Sequence, residues 1–299
     1  MELTAYHPFK SADAKAEYLQ MYDHKAESWP VPSEMLLVET SYGQTFVRIS
    51  GPANGEPLVL LHGAGSDSLS WIPNAKALSG SFRIYAVDII GGCGRSIYTR
   101  DLPCIADYLS WMDELFTGLR LGDRINLMGL SYGGMLATQY ALLHPERLGK
   151  IVLLAPAATV QPLSKEFAVR ALFCALPIRS TVALFSFWVF EDFLGKDPAN
   201  RKTLEVYMGE KLQARRCFKA ARLVSSPVLT DEELRSISVP TLFLVGEHEK
   251  IYPARSAIER LNRIAPQVQT RVIPNAGHDL NWVHPDLISQ LALDFLREP

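Results

Sequence analysis

Cysteine is scarce in this 299-residue chain: Cys93, Cys104, Cys174 and Cys217 fall at irregular spacing, with no CxxC pair. A chain this long has core enough to fold without disulfide staples, so the four are expected as reduced, buried thiols. An excess of one charge is also missing. The 30 basic and 32 acidic residues leave a formal net charge of -2, with no general positive field to hold nucleic acid or an anionic bilayer. The N-terminal MELTAYHPFKSADAKAEYLQ lacks a basic segment followed by an apolar one, so no cleaved secretion signal is expected and the cytoplasm is the default location. No apolar run approaches the roughly 20 residues of a membrane span. The most apolar stretch, 171–190, is broken by Pro177 and Arg179 and is expected as a buried or ligand-facing helix. There is no HExxH, no clustered Cys/His set, no Walker loop and no GxGxxG after a first strand, so neither a metal nor a cofactor is expected.

What is present is the composition of a globular protein: 48% hydrophobic, 21% charged and 10% aromatic residues, with 19 Gly and 19 Pro. From residue 34 onward, short β-rich runs alternate with longer helical periods, the pattern of an α/β fold with a mostly parallel sheet and helices on both faces. Strands are predicted at 34–40, 45–50, 57–61, 83–88, 125–129, 151–155, 241–245 and 270–273, eight in all, the first two joined as a hairpin through Tyr42-Gly43. The runs LVLL, INLMGL, IVLLA and TLFLV are apolar throughout, as strands covered on both faces should be. Helices are predicted at 70–78, 105–119, 133–142, 254–264 and 285–297, with Pro285 suited to a first turn. The alternation fails between 157 and 238, where the chain looks helical throughout. This divides the protein into an N-terminal arm (1–33), a core (34–156 and 239–299) and an inserted helical cap (157–238). The arm has helical character over 12–26 and ends at Trp29-Pro30-Val31-Pro32, where two prolines stop any helix.

Gly129-Leu130-Ser131-Tyr132-Gly133 lies between an apolar strand and a helix. In that setting GxSxG forms a tight turn that small residues permit and that presents the serine above the sheet edge as a nucleophile. A serine hydroxyl needs a base to take its proton, and the base needs an orienting group. Among seven histidines, His278 in Asn275-Ala276-Gly277-His278 follows the last strand and reaches the sheet's carboxyl edge. His7, His24, His144 and His284 are better explained by the arm or by helix ends. The acid should come from another strand end, and Gly246-Glu247-His248-Glu249 supplies two glutamates there.

With those residues in view, the chain resembles the α/β-hydrolase superfamily, whose pattern includes HG after the third strand, GxSxG, a GxxD segment and a late GAGH. The WPVP arm, AVDIIG and GEHE are similar to a bacterial carboxylesterase-like subgroup. The resemblance implies a Ser131, Glu249, His278 triad, because GEHEKIYP aligned with GxxDxxxP puts Glu249 on the acid, with Glu for the commoner Asp. Glu247 stays as the alternative acid, and Asp279 is taken as structural. The loop His62-Gly63-Ala64-Gly65 implies an oxyanion hole from the amides of Ala64 and Tyr132, with Gly63 letting the backbone approach substrate. His62 is taken as shaping that loop. The family's DxPGxGxS stretch corresponds to Asp88 through Ser96, without the proline and one residue longer.

An aspartate at the elbow would point to haloalkane dehalogenase or epoxide hydrolase chemistry, and Ser131 argues against both. The expected function is cofactor-free hydrolysis of a carboxylic ester or related small-molecule acyl substrate. Lactone opening, C-C cleavage, acyl transfer by the same triad, or non-catalytic ligand binding remain alternatives, since fold and triad do not define the substrate. No motif speaks to the oligomeric state. Phe187 and Trp188, with Phe167, Leu172, Phe173 and Phe190, are candidates for the acyl pocket. Finally, KLQARRCFKAAR lacks acidic residues, and as one helix it would stack Lys211, Arg215, Lys219 and Arg222 on one face, with Arg216 beside them. Such a stripe is either a solvated surface or an attractor for an anionic substrate tail or acidic partner.

Overall fold

The computed structural model describes residues 7–219 and 224–298. The strands are β1 (Glu34–Thr40), β2 (Gly43–Ser50), β3 (Pro57–Leu61), β4 (Arg83–Val87), β5 (Ile97–Tyr98), β6 (Ile125–Leu130), β7 (Leu148–Leu154), β8 (Thr241–Gly246) and β9 (Gln269–Ile273). They form one nine-stranded sheet in the order β1-β2-β4-β3-β6-β7-β8-β9, with β5 pairing β2. From β4 to β9 every neighbouring pair is parallel, whereas β2 is antiparallel to β1, β4 and β5. This is the mostly parallel α/β sheet expected, with one strand more than the eight predicted. The addition, β5, is only two residues long, and its pairing with Gly43 and Gln44 carries no periodic signal. The β1/β2 hairpin turns at Ser41-Tyr42, since Thr40 pairs with Gly43. Gly43 opens β2 at φ 130°, and a Cβ there would sit 2.2 Å from the Ile97 carbonyl oxygen.

Alternate residues of the central strands face opposite sides. On β3, Val59 and Leu61 join one buried cluster, while Leu58 and Leu60 join the other. That is why these strands read as continuous apolar runs. The helices are α1 (Ala12–Ala26), α2 (Ile72–Ser79), α3 (Ile105–Gly118), α4 (Tyr132–Leu143), α5 (Lys165–Cys174), α6 (Arg179–Val189), α7 (Glu191–Lys196), α8 (Asn200–Cys217), α9 (Asp231–Ser236), α10 (Ala254–Ile264), α11 (Leu280–Val283) and α12 (Pro285–Arg297). Five of them, α5 to α9, fall between β7 and β8. The apolar stretch 171–190 is two helices rather than one, and it is only partly buried: Leu172 is 71% and Phe173 55% exposed.

Helix α1 is capped by Ser11, whose hydroxyl accepts from the Ala14 amide at 3.1 Å. Its buried Tyr18 packs edge-on against Phe218 just beyond α8, and its Tyr22 hydroxyl meets Ser68 at 2.9 Å. Helix α8 stops at Cys217, where Phe218 turns extended and bridges Phe9. The single helical stripe expected through Lys219 and Arg222 is therefore not formed: Lys219 lies past the helix end, and Arg222 lies outside the described residues. The four cysteines are unpaired, and Cys104 is exposed rather than buried because it begins α3, where its amide and thiol both donate to Asp107. No helix among the described residues is long and apolar enough to cross a membrane.

Candidate active site

Strand β6 delivers Ser131 into a sharp turn at φ 53°, ψ -112°, and α4 starts at the next residue. A side chain at that positive φ is strained, and the neighbours hold it there. The Ser131 amide donates to Leu154 O at 2.8 Å, and its carbonyl accepts from Met135 at 3.0 Å and Ala157 at 3.1 Å. The glycines are required by contact: a Cβ on Gly129 would lie 2.4 Å from Gly133 O, and one on Gly133 would lie 2.2 Å from Leu61 O. The chain thus turns with β6, α4 and the end of β3 in backbone contact, which only hydrogen side chains allow.

His278 lies in the loop between β9 and α11, and Glu249 lies just past β8. The two meet, with His278 Nδ1 to Glu249 Oε2 at 3.0 Å, and the Glu249 side chain is fully buried. The other oxygen, Oε1, accepts from the amides of Lys250 at 2.8 Å and Ile251 at 2.9 Å. Both carboxylate oxygens are committed, so the Glu249 side chain has one orientation. Burial opposes a charge on His278, but the charge and hydrogen bond of Glu249, together with the charge of Asp279, outweigh it, and the imidazole titrates above its ordinary 6.5. Glu247 points elsewhere and accepts from the Asn275 amide at 3.1 Å. Asp279 also ties backbone: its carboxylate accepts from Gly277 at 3.2 Å and Phe193 at 2.9 Å.

His62 is buried, with Nε2 accepting from the Ile89 amide at 3.0 Å and Nδ1 against Gly63 O at 2.8 Å. These partners assign the proton to Nδ1 and leave no lone pair for base chemistry. Burial lowers its pKa to about 4, keeping the ring neutral. The loop it braces brings Gly63 beside Ser131: a Cβ on Gly63 would contact Ser131 Cβ at 3.5 Å. The amides of Ala64 and Tyr132 make no backbone hydrogen bond among the described residues. Asp88, which opens the neighbouring glycine-rich loop, accepts from Ser68 and Arg95 amides at 2.7 Å each and anchors its path.

Ser131, His278, Gly63 and Ala64 line one cavity of about 260 Å³. Its apolar walls include Phe167 from α5, Val182, Phe185 and Val189 from α6, and Phe190 and Trp282. Phe187 and Trp188, named from sequence as pocket residues, do not line it. The cavity face of α6 runs 182, 185, 186, 189, the i, i+3, i+4, i+7 stripe of a helix, and positions 187 and 188 fall outside it. Phe187 instead lies beneath the Arg201 guanidinium at 5.3 Å, and Trp188 beneath that of Arg170 at 4.9 Å. Leu172 and Phe173 are also off the wall. Sequence reasoning missed Phe185, Asn281 and Lys25 on the cavity surface. Lys211 and Arg215, read from sequence as either a solvated surface or an attractor for an anionic substrate tail or acidic partner, line this cavity, while Arg216 is exposed.

A strand-turn-helix serine elbow, followed in chain order by a glutamate and a histidine that bond to each other, defines a class of hydrolase fold. Residues 56–285 match the alpha/beta hydrolase fold family, and the chain belongs to it. It is similar to carboxylesterase YbfK of Bacillus subtilis (strain 168), 34% identical over 289 residues that cover 96% of each chain. The crystal structure of naproxen esterase (carboxylesterase NP) from Bacillus subtilis superposes with a TM-score of 0.86 at 34% identity, covering 96% of this chain and 100% of that one. Carboxylesterase CesB (YbfK) from the same organism superposes with a TM-score of 0.86 at 32% identity, covering 96% and 99%.

Proposed function

We propose that this protein hydrolyses carboxylic esters through an acyl-enzyme on Ser131. The observation that carries the reading is the 3.0 Å bond between His278 Nδ1 and the buried Glu249 carboxylate, made at the rim of the cavity that Ser131 shares. Glu249 keeps the proton on Nδ1, so Nε2 is the nitrogen that accepts the Ser131 proton during attack on the ester carbonyl. The imidazolium then protonates the leaving alkoxide, and a water molecule repeats the sequence on the acyl-enzyme. The amides of Ala64 and Tyr132, uncommitted to other backbone groups, donate to the oxyanion of each tetrahedral intermediate. The relatives' activity as carboxylesterases supports the same reaction here.

Residues 157–238 serve as a cap. Its helices α5 and α6 supply the apolar wall that would receive the non-polar part of a small-molecule ester. The test is a series of 4-nitrophenyl acyl esters of increasing chain length, with wild type and Ser131→Ala. Wild type should turn over a band of chain lengths, and Ser131→Ala should lose on the order of 10⁴ to 10⁶ in kcat. Retention of half the wild-type rate by Ser131→Ala would remove the nucleophile and the proposal with it.

A further inference from the structure

The cavity wall carries cationic and hydrogen-bonding side chains that the chemistry at Ser131 does not use. Lys25 reaches it from α1, and Lys211 and Arg215, one turn apart, reach it from α8. Lys25 is paired with Glu210 at 2.7 Å. Lys211 and Arg215 have no carboxylate partner among the described residues. Lys211 donates to the Gly65 carbonyl of the loop beside the nucleophile, while Arg215 donates to Lys211 O at 3.0 Å, to Cys174 Sγ at 3.1 Å and to Cys174 O. The Lys211 charge is offset at longer range by the buried Asp67 carboxylate, whereas the carbonyl and sulfur partners of Arg215 occupy its N-H donors without bringing a countercharge.

A second observation is independent of charge. Asn281 is 1% exposed and lines the same cavity, and among the described residues neither its side-chain nitrogen nor its oxygen has a hydrogen-bond partner. Ser70, also buried and on the cavity wall, has a hydroxyl that is likewise unpartnered among the described residues. Buried donors and acceptors left unmade are costly, and their concentration on one cavity surface is a place where a ligand supplies the missing partners. The only carboxylate on the lining among the described residues, Asp279, is committed to the Gly277 and Phe193 amides.

We infer that these side chains of the cavity wall bind a free carboxylate of the substrate, and that the enzyme prefers esters carrying such a carboxylate beyond an apolar spacer. Arg215 and Lys211 pair with the anion, Asn281 and Ser70 hydrogen-bond the polar atoms beside it, and Phe185, Val189 and Phe190 pack on the spacer. The inference rests on the proposed ester hydrolysis at Ser131. The reaction is unchanged by it: the acyl C-O bond breaks, water supplies hydroxyl to the acyl carbon and a proton to the alcohol, and the second carboxylate serves only in binding.

The test compares kcat/KM for pairs of esters matched in length. In the first arm the carboxylate is on the acyl side: 4-nitrophenyl hydrogen glutarate, adipate and suberate against methyl-capped acyl chains of equal length. In the second it is on the alcohol side: butanoate esters of ω-hydroxy acids against those of the corresponding simple alcohols. At least one pair should favour the carboxylate by about tenfold or more, the scale of one charge-assisted hydrogen bond. Arg215→Gln should erase that ratio and Arg215→Lys should restore part of it. Should the variants fail to fold, wild type alone decides: hexanoate should inhibit hydrolysis of a neutral ester with a Ki at least about tenfold below that of the neutral hexanamide. Ratios near one in both arms, with equal Ki values, overturn the anion site while leaving Ser131 catalysis intact. Failure to hydrolyse any ester, neutral or anionic, would instead remove the functional reading on which the inference rests.

Discussion

Glu249→Gln is the substitution that isolates the role of the buried carboxylate. The side chain is isosteric, and Oε1 must remain a carbonyl because it accepts from the amides of Lys250 and Ile251. The new amide nitrogen therefore faces His278 Nδ1, where a donor now stands against a donor. The imidazole relieves the clash by moving its proton to Nε2, the nitrogen that must accept the Ser131 proton. Charge is lost as well as tautomer. With His278 and Glu249 in contact at 3.0 Å, and charge centres about 4 Å apart, an effective dielectric near 20 makes the carboxylate worth about 4 kcal/mol to the imidazolium. That corresponds to about 10³ in rate, and loss of tautomer control sets a ceiling near 10⁴. The assay is steady-state kcat on a neutral 4-nitrophenyl ester, with thermal unfolding to show that the fold survives. We expect a fall of 10² to 10⁴ for Glu249→Gln and less than threefold for Glu247→Gln, whose carboxylate only accepts from Asn275. The reverse ranking would refute the assignment of the acid.

The same contact sets the pH dependence. Because Glu249, together with the charge of Asp279, raises His278 above 6.5 against the opposing effect of burial, the neutral base is lost as pH falls through that raised value. The acid limb of kcat/KM should therefore lie above 6.5 and shift downward in Glu249→Gln. Gly133→Ala should cost about 3 kcal/mol or more, seen as a large drop in Tm or as insoluble protein, because its Cβ would lie 2.2 Å from Leu61 O. Gly209→Ala, within α8 and with nothing within 4 Å of its added Cβ, should be neutral or stabilising by up to about 1 kcal/mol. Phe185→Ala should broaden acyl-chain preference toward longer esters by opening the wall. Phe187→Ala, off the wall, should leave the preference unchanged in the same chain-length series.

The sheet was legible because its central strands are covered on both faces, which makes LVLL or TLFLV apolar without reference to tertiary structure. The elbow was legible because the contacts that forbid a Cβ on Gly129 and Gly133 leave a fixed local signature around Ser131. His278 could be named because it follows a strand that ends at the same sheet edge, whereas the end of β8 offered both Glu247 and Glu249, and the resemblance of GEHEKIYP to GxxDxxxP is what singled out Glu249. The cavity wall was less legible. On α6 the large rings of Phe187 and Trp188 draw attention, while the inward stripe passes through Ser186, a polar residue that weakens its hydrophobic signal. Lys211 and Arg215 looked like half of a long charged face because nothing in KLQARRCFKAAR shows that α8 ends at Cys217. Their partial burial depends on contacts distant in sequence: Lys211 donates to the Gly65 carbonyl and Arg215 to the Cys174 carbonyl, while Lys25 of α1 pairs with Glu210 on α8.

The central claim is that Ser131 is the nucleophile, and covalent labelling tests it most directly. Wild-type protein treated with a fluorophosphonate probe and digested for mass spectrometry should carry one adduct, on the peptide containing Ser131. Ser131→Ala should carry none, and pre-incubation with a slowly hydrolysed ester should suppress the wild-type signal. An adduct on another residue, or full labelling of Ser131→Ala, would contradict the account.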